Sequence, residues 1–501
     1  MQGTRIHLIV GGLLLAAASG SVQAEALQPD PAWQQGALAN GFSWQILDTP
    51  QRPSDRVELR LIVNTGSLVE SSQQTGFAHL LPRLALTRSE SFTAPQLRAL
   101  WQQSVDNERP LPPAIISYDF TMYNLSLPNN RPDLLKEALA WLADTTGKLA
   151  IDEHTVHAVM NSSINPVGTF PPNTKDAWWR YRLKGSTLLA HDPAQPAKRP
   201  VNLEQLKKFY QQWYTPDAMT LFVVGKVDSR SLGEQINKAF SPLQGKRETP
   251  APMPTLTPLP QQPVSLISEQ VKQDTLSIMW DSPWHPIRDS QSLLRYWRGD
   301  LAREALFWHL QQTLEKSDQK NLHLGFDCRV QYQRGQCAIH LDTPNNNLNG
   351  SLGFIARELA NVRDNGLSKE EFDALLAQKN DQLSKLFATY ARTDTDVLMS
   401  QRLRSQQSGV VDIAPELYQK LRQEFLSSLT LETLNQALKL QLSQDATLVL
   451  MQPKGEPEMS MKQLQDTYNG IMMPPPAVVT EEAKPADTAV ASPATDAAGA
   501  Q

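Results

Sequence analysis

Gly76-Phe77-Ala78-His79-Leu80-Leu81-Pro82-Arg83 is the most telling stretch of this 501-residue chain because of what precedes it. The segment 57–64, Val-Glu-Leu-Arg-Leu-Ile-Val-Asn, predicts a β-strand, and Thr65-Gly66-Ser67 predicts a turn after it. The quoted stretch then predicts a helix with His79 on an apolar face. Pro82 lies beyond the first helical turn, where a proline costs roughly 3 kcal/mol and kinks the helix.

The order of this strand, turn and helix resembles the pitrilysin/insulinase family of zinc metallopeptidases. In that family the helix carries the motif H-x-x-E-H, in which both His bind zinc and the Glu is the general base. His79 matches the first His, whereas Pro82 stands at the Glu position and Arg83 at the second His position. The resemblance therefore implies the family's fold together with a degenerate metal motif.

Two later segments carry the same resemblance. FYQQWYTPDAMTLFVVGKVD at 209–228 resembles the family's strand that leads to a Gly turn. LSKEEFDALLAQKNDQL at 367–383 resembles a helix of the family's second half. The similarity runs in order from about Gly41 to Gln465, so it covers nearly the whole chain after the N-terminal segment.

The chain also contains two halves with the same order of predicted elements. Each half opens with two strands, continues into helices and alternating strands, and closes with a strand, a turn and a short helix. Seven prolines lie between Ser241 and Pro263, where they disfavour helix and central strand. We expect an α+β protein of two homologous domains, each an antiparallel sheet backed by helices, like the halves of a pitrilysin-type clamshell.

These patterns predict five segments. They are a signal peptide at 1–24, an N-terminal domain with the degenerate motif at 25–245, a Pro-rich linker at 246–263, a C-terminal domain at 264–473 and a disordered tail at 474–501.

The N-terminus predicts export. Arg5 supplies a positive charge, residues 8–18 form a short apolar run, and Val22-Gln23-Ala24 is typical of a cleavage site. The run is too short for a membrane span, which needs ~20 apolar residues. We expect cleavage near Ala24 and a soluble protein of a bacterial periplasm. The net charge of -5, without a basic stripe, argues against a nucleic-acid partner.

The only two cysteines, Cys328 and Cys337, lie in the two arms of a predicted hairpin. In an oxidising compartment such a pair is a disulfide candidate. The alternative is two small buried hydrophobic residues.

Three losses predict that the family's zinc chemistry is absent. Arg83 offers no lone pair and carries a positive charge, and Pro82 removes the general base. In the family the third ligand is a Glu some seventy to eighty residues beyond the motif, on a helix that matches 152–164 here. After Glu153 at the start of that helix, no Glu occurs until Glu204. We therefore predict no catalytic residues, no metal ligands and no cofactor, or zinc if the family's activity is retained.

A substitute metal site is the alternative. His79, Glu153 and His157 are candidate ligands, and His154 lies one helical turn before His157. Against this, a single His on an apolar helical face is more often a core residue, and the other two His fit a solvated face.

Three functions remain. The first is a non-catalytic relative of the zinc peptidases that binds an extended peptide or protein ligand along a sheet edge, or assembles with an active relative. The family also uses an Arg and a Tyr from a second half, and our alignment places Ala305 and Phe326 there. The second is an active zinc endopeptidase with substitute ligands. The third is a structural component of an envelope complex.

Overall fold

The computed structural model describes residues 24–473, so the predicted signal peptide, apart from Ala24, and the predicted tail lie outside the described residues. The first half contains seven strands and seven helices within that range. They are β1 Trp33–Ala37, β2 Ser43–Asp48, β3 Arg56–Val63, α1 Phe77–Thr87, α2 Ala94–Gln103, β4 Ala114–Ile116, β5 Thr121–Pro128, α3 Pro132–Gly147, α4 Glu153–Asn161, β6 Val167–Thr169, α5 Ala177–Arg182, α6 Leu203–Trp213, β7 Met219–Gly225 and α7 Ser229–Phe240.

The second half follows the proline-rich segment. Its elements are β8 Val264–Ile267, β9 Thr275–Pro283, α8 Ser290–Glu315, β10 His323–Gln331, β11 Arg334–Asp342, α9 Leu348–Asn365, α10 Lys369–Ser384, α11 Leu386–Ala391, α12 Thr395–Ser408, α13 Pro415–Ser428, α14 Leu431–Leu442, β12 Thr447–Gln452 and α15 Met461–Met472. None of the helices in residues 24–473 is both long enough and apolar enough to cross a bilayer.

Each half is built around one sheet, in the orders β1-β2-β7-β3-β5-β4-β6 and β10-β11-β9-β12-β8. Five strands follow the same plan in both sheets, because β2-β7-β3-β5-β4 has the same order as β8-β12-β9-β11-β10. This repeated topology and the helices packed on each sheet confirm the predicted α+β class with two related halves.

The expectation of purely antiparallel sheets is wrong. Strand β7 pairs parallel with β2, β12 pairs parallel with β8, and β6 pairs parallel with β4. The reason lies in the connections: the last strand of each half returns after several helices and inserts between two early strands, β7 between β2 and β3 and β12 between β8 and β9. In each case it is parallel to the earlier of those two strands and antiparallel to the later one.

The described residues of the two halves contact each other at several places. Helix α12 of the second half packs on the outer face of the first sheet through Leu398 and Met399. The buried carboxylate of Asp281 on β9 accepts hydrogen bonds from Arg182 of the first half at 3.1 Å and from Arg334 at 2.7 Å. The proline-rich segment 246–263 contains no helix or strand and contacts both halves, because Ser186 Oγ of the first half donates to Thr255 O at 2.7 Å and Leu259 N donates to Asp281 Oδ2 at 2.9 Å.

The β10–β11 hairpin contributes a further contact between the halves. Its two turn residues, Tyr332 and Gln333, have φ of 45° and 65°, as a tight two-residue hairpin turn requires. The Tyr332 hydroxyl lies 3.1 Å from Ser117 Oγ of the first half. Cys328 and Cys337 are directly opposite each other across the hairpin and are joined by a disulfide, with sulfurs 2.06 Å apart.

Candidate functional site

A buried carboxyl group that the sequence did not single out lies at the N-terminus of helix α1. Glu70 Oε2 accepts a hydrogen bond from Ala78 N at 2.9 Å, in the first turn of the helix. Burial raises the pKa of Glu70 to about 8, while backbone N–H groups of Gly76, Phe77 and Ala78 act in the opposite direction. An acidic residue shortly before a helix is the signal that would have indicated this contact.

The helix then runs through Pro82 without interruption and ends at Thr87. His79, one turn before Pro82, is 5% exposed, and its Nε2 lies 3.2 Å from Asn165 Nδ2. Burial lowers the pKa of His79 to about 4, and the positive charge of Arg83 acts in the same direction. His79 is therefore a neutral, hydrogen-bonded residue at the edge of the core.

Arg83 joins α1 to the end of α4. Its Nη2 donates to Val159 O at 2.8 Å, to Ser162 O at 3.3 Å and to Ile164 O at 3.4 Å. These carbonyls lie at or just beyond the C-terminus of α4, where unpaired carbonyls and the helix dipole favour a cation. The guanidinium thus occupies the space between the motif helix and the helix on which we expected the third ligand.

The substitute ligands are not brought together. Helix α4 is capped by Asp152, and Glu153, His154 and His157 are exposed along it. His157 Nε2 lies 2.7 Å from Asn161 Nδ2. Within residues 24–473 no three His, Cys, Asp or Glu side chains form a group that could hold a metal ion.

A zinc ion therefore does not fit the residues present. A catalytic zinc needs three protein ligands and one open position. Here one neutral His faces an amide, a guanidinium stands at the second ligand position, and Met160 is partly buried in the expected third-ligand region.

A sheet edge lies beside α1. Strand β6 is the outermost strand of the first sheet and pairs only with β4 in the described chain. Phe170 N donates to Ile116 O at 3.0 Å, so the alternation of backbone groups along a strand turns the N–H and C=O of Thr169 to the open side. Asn165 links this edge to the motif, because its Oδ1 accepts from Val167 N at 3.1 Å. Ile164, just before the strand, is 74% exposed.

The second sheet contains a Ser-His-Asp arrangement that the sequence did not suggest. Ser277 Oγ lies 2.6 Å from His340 Nδ1, and His340 Nε2 lies 2.6 Å from Asp327 Oδ1. Ser277, however, is 0% exposed and sits on a central strand paired on both sides. Because a nucleophile needs access to substrate and a free oxyanion site, this arrangement is a cross-strand hydrogen-bond cluster.

The second-half positions that we aligned with the family's Arg and Tyr are apolar. Ala305 is buried in α8, and the Phe326 ring on β10 stacks on Phe307 with centroids 5.6 Å apart. The alignment itself stays a prediction.

Known proteins resemble this chain along most of its length. The family described as Insulinase (Peptidase family M16) matches residues 47–185, and the Peptidase M16 inactive domain matches residues 200–379. A protein of Escherichia coli (strain K12) called Protein YhjJ is 64% identical, over 96% of this chain and 96% of its own length.

Solved structures give the same result for the fold. A structure described as a predicted insulinase family protease from Yersinia pestis is 72% identical, with a TM-score of 0.88 over 93% of this chain and 100% of its own. The first half of the periplasmic protease PqqL from Escherichia coli is 21% identical, with a TM-score of 0.74 over 90% of this chain and 98% of its own. Against whole PqqL the chain covers 53% of that protein. The chain therefore belongs to the insulinase family of peptidases, family M16.

Proposed function

We propose that this chain is a non-catalytic member of the insulinase family that acts in the periplasm as a peptide-binding or assembly protein. The single observation that supports it most is the placement of Arg83. Its guanidinium donates to three carbonyls at the end of α4, where an active relative would need an imidazole and a carboxylate around zinc.

The loss of chemistry does not remove the means to bind a peptide. Strand β6 offers an open edge next to α1, and an extended peptide adds to such an edge through backbone hydrogen bonds without any metal. The exposed side chains of Ile164 and Phe170 flank the strand and offer apolar surface to the peptide. Assembly with an active relative is the second form of the same proposal, since the chain covers about half the length of PqqL.

A periplasmic location is part of the proposal. The predicted signal peptide supports it, and so does the Cys328–Cys337 disulfide, because such bonds persist in oxidising compartments. The solved relative PqqL is itself described as periplasmic. Cell fractionation with the native N-terminus should recover a processed, soluble protein that starts near residue 25.

Metal content tests the absence of catalysis. The mature protein, equilibrated with zinc and then dialysed, should hold far less than one zinc per chain by elemental analysis and should not cleave an unstructured peptide. A variant with Pro82→Glu, Arg83→His and Met160→Glu is the comparison, because it supplies two His, a base and a carboxylate. One zinc per wild-type chain with chelator-sensitive cleavage would establish the active-enzyme alternative instead.

Strand addition is tested at Thr169. The probe is a fluorescein-labelled octapeptide of alternating Thr and Val, followed by fluorescence anisotropy. Thr169→Pro removes the outward N–H and should abolish binding, whereas Thr169→Val keeps the backbone and should bind like the wild type. Equal binding by all three proteins would exclude the β6 edge, and no binding by the wild type would leave the assembly form of the proposal.

A further inference from the structure

We propose that Arg83 is a carboxylate receptor, and that the peptide held at β6 is bound by its free C-terminus. This inference rests on the proposed function, since it takes a peptide at the β6 edge as given. It adds the class of ligand: the end of a chain, such as a released cleavage product, in place of an internal peptide bond.

The free hydrogen-bonding capacity of Arg83 is the first argument. All three hydrogen bonds of its guanidinium leave from Nη2. Nε and Nη1 of Arg83 have no hydrogen-bond partner within residues 24–473. Neither nitrogen is fully buried, so both are accessible to solvent. A guanidinium that is fixed through one nitrogen and open at two others is preorganised for an anion.

The direction of β6 is the second argument. Arg83 contacts the carbonyls of Ser162 and Ile164, which lie just before the strand begins at Val167. A peptide that pairs antiparallel with β6 therefore runs its carboxyl end toward Val167 and Ile164. That end of the peptide arrives beside the guanidinium, whereas the amino end lies beyond Thr169.

The charges around Arg83 agree with an anionic ligand. Arg199 brings a second guanidinium to the same helix end, where it donates to Asn161 Oδ1 at 2.7 Å and to Met160 O. Asp192 is the acidic neighbour of His79, and Glu153 lies at the opposite end of α4. Zinc would act as a Lewis acid on the carbonyl of an internal amide, whereas a guanidinium can only donate hydrogen bonds and binds a full negative charge more strongly than a neutral carbonyl.

The experiment compares two forms of one peptide. The Thr-Val octapeptide is prepared with a free C-terminal carboxylate and with a C-terminal carboxamide, and both are titrated by fluorescence anisotropy. We expect the carboxylate form to bind the wild type about tenfold more tightly, as charge-assisted hydrogen bonds typically give. Arg83→Gln should bind the two forms equally, and Arg83→Lys should keep part of the preference.

Arg199→Gln is the matched control, because Arg199 also holds the end of α4. It should lose far less of the preference for the carboxylate than Arg83→Gln does, because the Arg199 guanidinium is already bonded to Asn161 and Met160, and circular dichroism should show both Gln variants folded. Should the two forms bind the wild type equally while Thr169→Pro abolishes both, the carboxylate receptor is wrong and the strand-addition proposal stands. A preference that survives in Arg83→Gln assigns the carboxylate to another group and also overturns the inference. No binding of either form to the wild type removes the peptide proposal and this inference together.

Discussion

The two sheets follow one five-strand plan but end differently at the same edge. In the first half the third strand of the plan, β4, has three residues and pairs with the short strand β6, which forms the edge of the sheet. In the second half the matching strand, β10, has nine residues and is itself the edge. The β10 edge is fixed by a disulfide and a docked hairpin tip, whereas the β6 edge is short, open and next to α1.

Under the proposed function, this difference assigns peptide binding to the first half and a supporting role to the second. An exposed edge strand is a template for another chain, and proteins usually protect it. The second half carries charged residues on β10, Asp327 and Arg329, and a covalent link to β11. The first half leaves β6 available. Variants at the contacts between the halves, at the disulfide and at the motif helix therefore show which contacts stabilise the protein and which affect the region around the β6 edge.

The largest effect is expected where the halves meet. Asp281→Ala leaves the guanidinium groups of Arg182 and Arg334 next to each other without their carboxylate, in a site where the Asp281 and Arg182 side chains are each 4% exposed. Removing one partner of a buried pair costs about 3–5 kcal/mol. Urea unfolding of the whole protein measures the loss.

Asp381→Ala is the control for that experiment. Asp381 pairs with Lys385 on the surface at 2.9 Å, with both side chains more than half exposed. Its removal should change the free energy of unfolding by less than about 0.5 kcal/mol. If Asp281→Ala cost no more than this control, the buried cluster would not be what holds the two halves in contact.

The second-largest loss of stability is expected for the disulfide at the β10 edge. Replacing Cys328 and Cys337 together by Ser releases a link across nine residues of sequence. For a loop of this length the unfolded chain regains entropy worth about 2–3 kcal/mol. Reduced wild-type protein should unfold at the same urea concentration as the double variant. A midpoint equal to that of the oxidised protein would show that the hairpin is held by its other contacts.

The third effect is a dependence of stability on pH that comes from Glu70 and His79 in the first half. Burial raises the pKa of Glu70 to about 8, so the folded state keeps a proton that the unfolded state releases near pH 4.5, and stability falls as pH rises toward 8. Burial lowers the pKa of His79 to about 4, so stability is instead lost as pH falls from 6.5 toward 4. The two slopes oppose each other between pH 4.5 and 6.5.

Of these two groups, only Glu70 still makes stability depend on pH above pH 6.5. The free energy of unfolding should therefore fall by about 1–2 kcal/mol between pH 6.5 and 8. Glu70→Gln keeps an acceptor for Ala78 N but does not titrate, so it should remove this loss. The measurement is urea unfolding of both proteins at half-unit pH intervals. Parallel curves for the two proteins would mean that Glu70 is ionised throughout.

Local patterns predicted much of this molecule, and distant contacts explain what they missed. The strand predicted at 57–64 corresponds to β3, and the segment 367–383 that resembled a family helix overlaps α10. The mixed sheets were not predictable in this way, because β7 and β12 insert between strands far away in sequence. The motif told us that Arg83 cannot bind zinc. Its partner Val159, 76 residues away, became visible only in the fold.

The smallest effect is expected at the motif itself. Arg83→Gln removes a cation from the end of α4 at a partly exposed site, which should cost only about 1 kcal/mol. Arg199→Gln should cost a similar amount, because it acts on the same helix end. Thermal unfolding of the wild type and the two variants measures these costs. The wild type is also unfolded with and without a chelator, and its melting temperature should be the same in both. A lower melting temperature with the chelator would mean that a metal, and not a guanidinium, joins α1 to α4. The comparison of the open β6 edge with the fixed β10 edge would then have to include a bound metal.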